Sequence, residues 1–262
     1  MLLDSASIAA GQRVICDANG NLVGSDNRKR WHYLDGTVPT GASASTEYWQ
    51  FDTTANRLVG RQNGNHFSVN AGTVIPICRD GLDGIFLDGS TQLVTANANL
   101  NSIAAITVEM LLAISRRNPS AIQLLFLHEP VSPDETEAKN VTYLCNLITD
   151  SHNLSLNQEG GAGVNDSNNA TSAVLPPVEV VYLAYTRASN GTTRKLYIQG
   201  VQSGATSTAT LAPTGGGSGV FQIGYSGGVG LYGAVFSARV SVGQEWSSTQ
   251  IAEVYARLLR AS

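Results

Sequence analysis

The chain has 262 residues, a formal net charge of −4 and only 14% charged residues. That length can bury a large core, as one all-β domain or two small ones. The small acidic balance excludes a broad attraction to nucleic acid or anionic membrane, and no apolar run is long enough to span a bilayer.

The opening residues, MLLDSASIAAG, lack a basic n-region and place Asp4 where an apolar segment would run. A secretion signal is therefore not expected, and synthesis in the cytoplasm is. Residues 1–46 read as an N-terminal arm and linker. Within it, Arg13 to Asp17, a turn at Asn19-Gly20, and Leu22-Val23 predict a small hairpin, and GTVPTGASAST from Gly36 to Thr46 has the small residues of a linker. Between them, the basic cluster Arg28, Lys29, Arg30 adjoins Trp31, His32 and Tyr33. It reads as a solvated or intersubunit patch, with phosphate binding the lesser alternative.

From Glu47 onward strand signals recur: EYWQFD, RLVG, TVIPIC, GIFLDG, QLVTA, ITVEMLLAI, AIQLLFLH and VTYLCNLI. Next comes VVYLAYTRASNGTTRKLYIQGVQSG, from Val180 to Gly204, whose first half is apolar on both faces, as in a strand buried inside a sandwich. Asn190-Gly191 supplies a turn pair suited to positive φ, so the stretch predicts a hairpin. VFQIGY and LYGAVFSARVSV complete the strand series. Many short strands separated by turn residues predict an all-β sandwich. One helix closes the chain: Ser247 is its cap, Gln250 completes a capping box, and Ile251, Val254, Tyr255 and Leu258 share one face. The cysteines Cys16, Cys78 and Cys145 have no metal-ligand spacing and read as buried reduced thiols.

From Glu47 to Leu259 the chain resembles the laminin-G-like, concanavalin-A-type jelly rolls. Tyr48 to Asp52 is similar to their opening strand, and Asn63 to His66 to the turn after it. Phe86 to Ser90 with Val94 resembles "FDGS…V", and Ile106 to Met110 resembles "FTIEAWV". Val181 to Gly200 resembles "WHHVAVTYDG…LYVNG", Phe221 to Gly224 "LYIGG", Tyr232 to Val240 "FNGYIDEVRIY", and the helix "LSAEEIAELY". Val181 stands where Trp is usual and Ser237 where an acidic residue is common. The resemblance implies a two-sheet antiparallel jelly-roll sandwich over 47–262, with a short C-terminal helix.

Glycosidases on such a fold pair two carboxylates across the sugar. ITVEMLLAI offers only Glu109, and the acidic run Asp134, Glu135, Glu137 follows Pro133 and reads as a loop, so no catalytic pair is expected. Gly217-Ser218-Gly219 lies in a glycine run without a nucleophile's strand-to-helix setting. The histidines His32, His66, His128 and His152 lack zinc spacing. Relatives of the resembled family bind calcium in loops. Asp150, Asn165, Asp166 and Asn168 lie in predicted loops and can supply oxygens for Ca²⁺, although such residues more often make turns.

Two readings of function remain. In the first, the protein is a non-enzymatic structural or adhesion protein on a virion surface, most plausibly that of a tailed bacteriophage. As a head decoration or a fibre or baseplate tip, it attaches to virion proteins or sister subunits through an assembly arm built on Arg28, Lys29, Arg30, Trp31 and Tyr33. In the alternative it is a lectin-like module for a cell-surface glycan. Tyr225, Tyr232 and Trp246 are then its candidate aromatic platforms, with core or hairpin packing the competing role.

Overall fold

The computed structural model describes residues 13–16, 22–26, 31–43, 47–96, 105–114, 122–130, 143–148, 153–160, 164–166, 179–208, 219–224 and 231–259. Strands β1 (Arg13–Cys16) and β2 (Leu22–Asp26) pair antiparallel as the sequence predicts, and form a two-stranded sheet of their own. The sandwich follows. Its first strands are β3 (Glu47–Asp52), β4 (Arg57–Gly60), β5 (Ser68–Ala71), β6 (Ile75–Arg79), β7 (Leu82–Asp88) and β8 (Gln92–Ala96). The middle strands are β9 (Ile106–Ile114), β10 (Ile122–Pro130), β11 (Tyr143–Ile148), β12 (Asn153–Gly160) and β13 (Val164–Asp166). Then come β14 (Val181–Arg187), β15 (Thr193–Ile198), β16 (Val201–Gln202), β17 (Ser207–Thr208), β18 (Gly219–Gly224), β19 (Tyr232–Val242) and helix α1 (Ser248–Leu258).

One sheet has seven strands in the order β13-β12-β11-β10-β18-β8-β5. The other has ten, along β16-β15-β14-β9-β19-β3-β4, with β7 also pairing β19, β6 pairing β7, and β17 pairing β15. All recorded pairings are antiparallel. The all-β architecture expected from the sequence is therefore the observed one. Four short strands, β5, β13, β16 and β17, carry no run of alternating apolar residues, and β12 (NLSLNQEG) has only two leucines to mark it. Pairing with neighbours makes them strands, which a single-chain pattern does not register.

At its centre, along β14, β9 and β19, the ten-stranded sheet is buried on both faces, and strand alternation assigns each face its partner. On β9, Ile106, Val108, Met110, Leu112 and Ile114 join Leu93, Phe221 and Ile223 from the seven-stranded sheet in the intersheet core. Leu111 and Ala113, on the opposite face, join a second core with Tyr182, Ala184, Phe236 and Trp246. That core is closed by Ile251, Val254 and Leu258 of α1 and by Trp31 and Leu34. The molecule thus has three layers. Its central strands β9, β14 and β19 read as near-continuous apolar runs because neither of their faces meets water.

Trp31 and Leu34, 6% and 1% exposed, belong to this third layer. Trp31 bridges to Leu259, the His32 amide donates to the Leu258 carbonyl at 2.8 Å, and the Leu34 amide donates to Ser237 Oγ at 3.1 Å. Further along, the Thr40 amide donates to Glu253, and the Ser43 amide to Gln244 Oε1 at 2.8 Å. The linker expected over 36–46 is corrected over its described part: residues 36–43 form a strap bonded to the helix end of the same sandwich. The physical reason is that α1 alone does not cover the sheet face, and Trp31 and Leu34 fill the remainder. Among the described residues, packing against the sandwich extends back to Trp31, ahead of the boundary expected at Glu47. Cys78 is likewise corrected: it sits exposed on β6.

Candidate functional site

Glu109 on β9 and Arg239 on β19 face each other in register beneath the strap, with side chains 0% and 1% exposed. Arg239 Nε donates to Glu109 Oε2 at 2.6 Å and Nη2 to Oε1 at 3.0 Å, a forked contact. The Tyr182 hydroxyl donates to the same carboxylate at 2.5 Å. Arg239 also lies over the Trp246 ring, 4.8 Å from its centroid. Burial and the neighbouring Glu109 charge push the Tyr182 hydroxyl well above its usual pKa. Burial works against the Arg239 charge, but the charge and hydrogen bonds of Glu109 outweigh it and raise the guanidinium's pKa. An acid held this way has no face open to a substrate.

Arg239 forms the floor of a cleft of about 390 Å³. One wall is the strap, with His32, Tyr33, Leu34, Asp35 and Thr37; the other is α1, with Val254, Arg257 and Leu258; Gln50 of β3 completes it. The walls are tied together. Arg239 Nη1 donates to the Asp35 and Thr37 carbonyls at 2.9 and 2.7 Å, and Gln50 Nε2 to the Leu34 carbonyl at 2.9 Å. Tyr33 is fixed at its far end, its hydroxyl accepting from the Asp83 amide at 2.6 Å. Asp35 Oδ1 accepts from the Thr37 amide at 2.9 Å, and Arg257 reaches the Val38 and Thr37 carbonyls at 3.3 Å.

The residues singled out by the sequence are scattered. Trp246 is 1% exposed in the second core, so of its two expected roles it takes core packing, and no ring face is open to a sugar. Tyr232 is half-buried at the start of β19, edge-on to Phe86 at 5.3 Å. Tyr225, Asp150, Asn168, Arg28, Lys29 and Arg30 lie outside the described residues. Asn165 and Asp166 were expected in a loop, but their backbone forms β13 beside β12; their side chains lie outside the described set. Trp31 and Tyr33 pack on their own sandwich, which corrects their assignment as groups kept for a partner. Among the described residues no three His, Cys, Asp or Glu side chains gather as a metal site requires, and no helix is long and apolar enough to cross a membrane.

Asp35, Gln50, Arg239 and Arg257 were not anticipated. A signal existed for Arg239: ITVEMLLAI and LYGAVFSARVSV each carry one charge, of opposite sign, in an otherwise apolar strand. Buried charges occur in pairs. The cleft itself had no sequence signature, because its walls are joined only by folding.

The model of the concanavalin A-like lectin/glucanases superfamily matches residues 87–246. The chain belongs to this superfamily. No curated protein matches it in sequence. Among solved structures it is similar to domain 4 of AbnA, a GH43 extracellular arabinanase from Geobacillus stearothermophilus, determined in complex with arabinotriose. The identity is 14% and the TM-score 0.59, over 80% of this chain and 98% of that domain. The Trypanosoma rangeli sialidase is similar at 12% identity and a TM-score of 0.60, over 82% of this chain but only 33% of the enzyme. The receptor binding domain of a botulinum neurotoxin C/D mosaic serotype is similar at 14% identity and a TM-score of 0.55, over 81% and 51% of the two chains. The superfamily's fold is thus shared with segments of glycosidases and with a receptor-binding domain.

Proposed function

We propose that this member of the superfamily is a non-hydrolytic carbohydrate-binding module. The observation that carries the reading is the state of Glu109: the carboxylate that the strand pattern offers for catalysis is 0% exposed, paired with Arg239 and capped by Tyr182. Glycoside hydrolysis needs two carboxyl groups flanking the scissile bond, and this one is shut away from any substrate. Similarity to nearly the whole of a single domain crystallised with arabinotriose supports a sugar as the ligand. A glycan array, followed by titration of the best ligands and assay for their hydrolysis, tests it. Retention of at least one oligosaccharide without release of reducing sugar is expected; reducing-sugar release by the purified protein overturns it.

A second reading, display on a virion surface through the arm, is favoured by one observation: β1 and β2 pair with each other and with no other strand among the described residues. In this reading the arm holds virion proteins or sister subunits while the sandwich faces outward.

A further inference from the structure

We propose, resting on the carbohydrate-binding reading, that the sugar is held in the cleft between the strap and α1, by Asp35 and Arg257 on its rim, and that it is a neutral saccharide unit. The volume of about 390 Å³ is at the small end for ligand sites and accommodates roughly one or two sugar rings, not a long chain lying flat. Val254 and Leu258 behind the rim are only 2% and 5% exposed, so the contacts to the sugar fall to the exposed rim groups Asp35 and Arg257.

Charge decides the class of sugar. The Arg239 guanidinium on the floor is neutralised by Glu109 at 2.6 Å. On the rim, exposed Asp35 and exposed Arg257 carry opposite charges. The balance selects neither an anionic nor a cationic ligand. A carboxylate only accepts hydrogen bonds and a guanidinium only donates them. Neighbouring hydroxyl groups do both, so a diol satisfies Asp35 and Arg257 together.

The rim groups are also available at low cost. Arg257 reaches its two carbonyls at 3.3 Å, beyond the usual N–H···O range of 2.7–3.2 Å, so a ligand oxygen competes well. The strap, by contrast, is held by short bonds to Arg239 and Gln50, so little ordering is needed on binding.

The test is titration calorimetry of the full chain with arabinotriose, with a neutral hexose disaccharide, and with N-acetylneuraminic acid as the anionic probe. The variants are Asp35→Asn, Arg257→Gln and, as a blocking change at the exposed rim, Thr37→Trp. The expected result is binding of a neutral probe, or of a neutral glycan found on the array, weakened roughly tenfold or more by each variant, with thermal stability kept. Thr37→Trp removes no helix contact and so reads out the cleft even if Arg257→Gln weakens the strap. Undiminished binding in all three variants overturns the site while leaving the module reading intact. Binding of the anionic probe alone overturns the neutral class. A parent protein that retains no glycan at all overturns the module reading and this inference with it.

Discussion

Glu109 and Arg239 show how a single residue's role follows from its surroundings. Each is the only charge in its strand, and each side chain points to the strap side and is almost wholly buried there. Neither charge survives there without the other, because the cost of desolvating an ion is repaid only by its partner. Glu109→Gln should therefore destabilise the protein by about 3–5 kcal/mol. The double variant Glu109→Leu, Arg239→Met should recover much of that loss in the pair itself, while freeing the Asp35 and Thr37 carbonyls that Arg239 now holds. Urea unfolding of Glu109→Leu, Arg239→Met and the double variant checks this as a double-mutant cycle. A Glu109→Gln protein as stable as its parent would mean the pair carries no such weight.

At the scale of elements, the clearest case is α1. Ser247 accepts from the Gln250 amide and Gln250 returns a bond to the Ser247 amide, so both halves of the capping box are present. Ile251, Val254 and Leu258, spaced three and four apart, are its buried face. Removing the cap with Ser247→Ala should lower stability by about 1 kcal/mol, read as a shift in the unfolding midpoint; an unchanged midpoint would show that tertiary contacts alone hold the helix. The β14–β15 hairpin meets this helix at Gly200, where φ is +79° and an added Cβ would lie 2.9 Å from Tyr255 Cβ. The turn itself differs in detail from the sequence expectation. Gly191, not Asn190, takes positive φ, at 72°, and Asn190 Oδ1 instead accepts from the Thr192 and Thr193 amides, both at 3.0 Å.

For the molecule as a whole, the strap sets what can be removed. A chain beginning at Trp31 keeps every described contact of the three layers and should unfold cooperatively near the parent's midpoint. A chain beginning at Glu47 loses Trp31 and Leu34 from the second core, each of which contributes about 1.5–3 kcal/mol by burial, and uncovers Arg239. It should be markedly less stable, and limited proteolysis should cut α1 early. Residues 36–43 of the intact protein should resist cleavage in dilute solution, because their bonds run to α1 and Gln244 of the same chain. The shorter truncation also tests the virion reading. If the arm is the attachment device, removing residues 1–30 should abolish any self-association or co-assembly seen by sedimentation while leaving the sandwich folded. Assembly that persists without the arm would sink that reading.

The sequence determined most of the sandwich. Alternation and apolar runs mark β3, β7, β9, β14, β15 and β19, and the capping residues mark α1, because these features report burial that each element carries wherever it sits. The same physics made Trp31 look like a group waiting for a partner, since an apolar residue beside a basic run announces that it will be buried, not against what. Only the tertiary structure decided that the partner is the same chain's helix. It likewise made Glu109, the one acid of its strand, half of a salt bridge, by bringing Arg239 across from a strand more than a hundred residues later. The cleft belongs wholly to that level: Asp35, Gln50 and Arg257 come from three distant segments, and nothing local to any of them records the distance that folding closes.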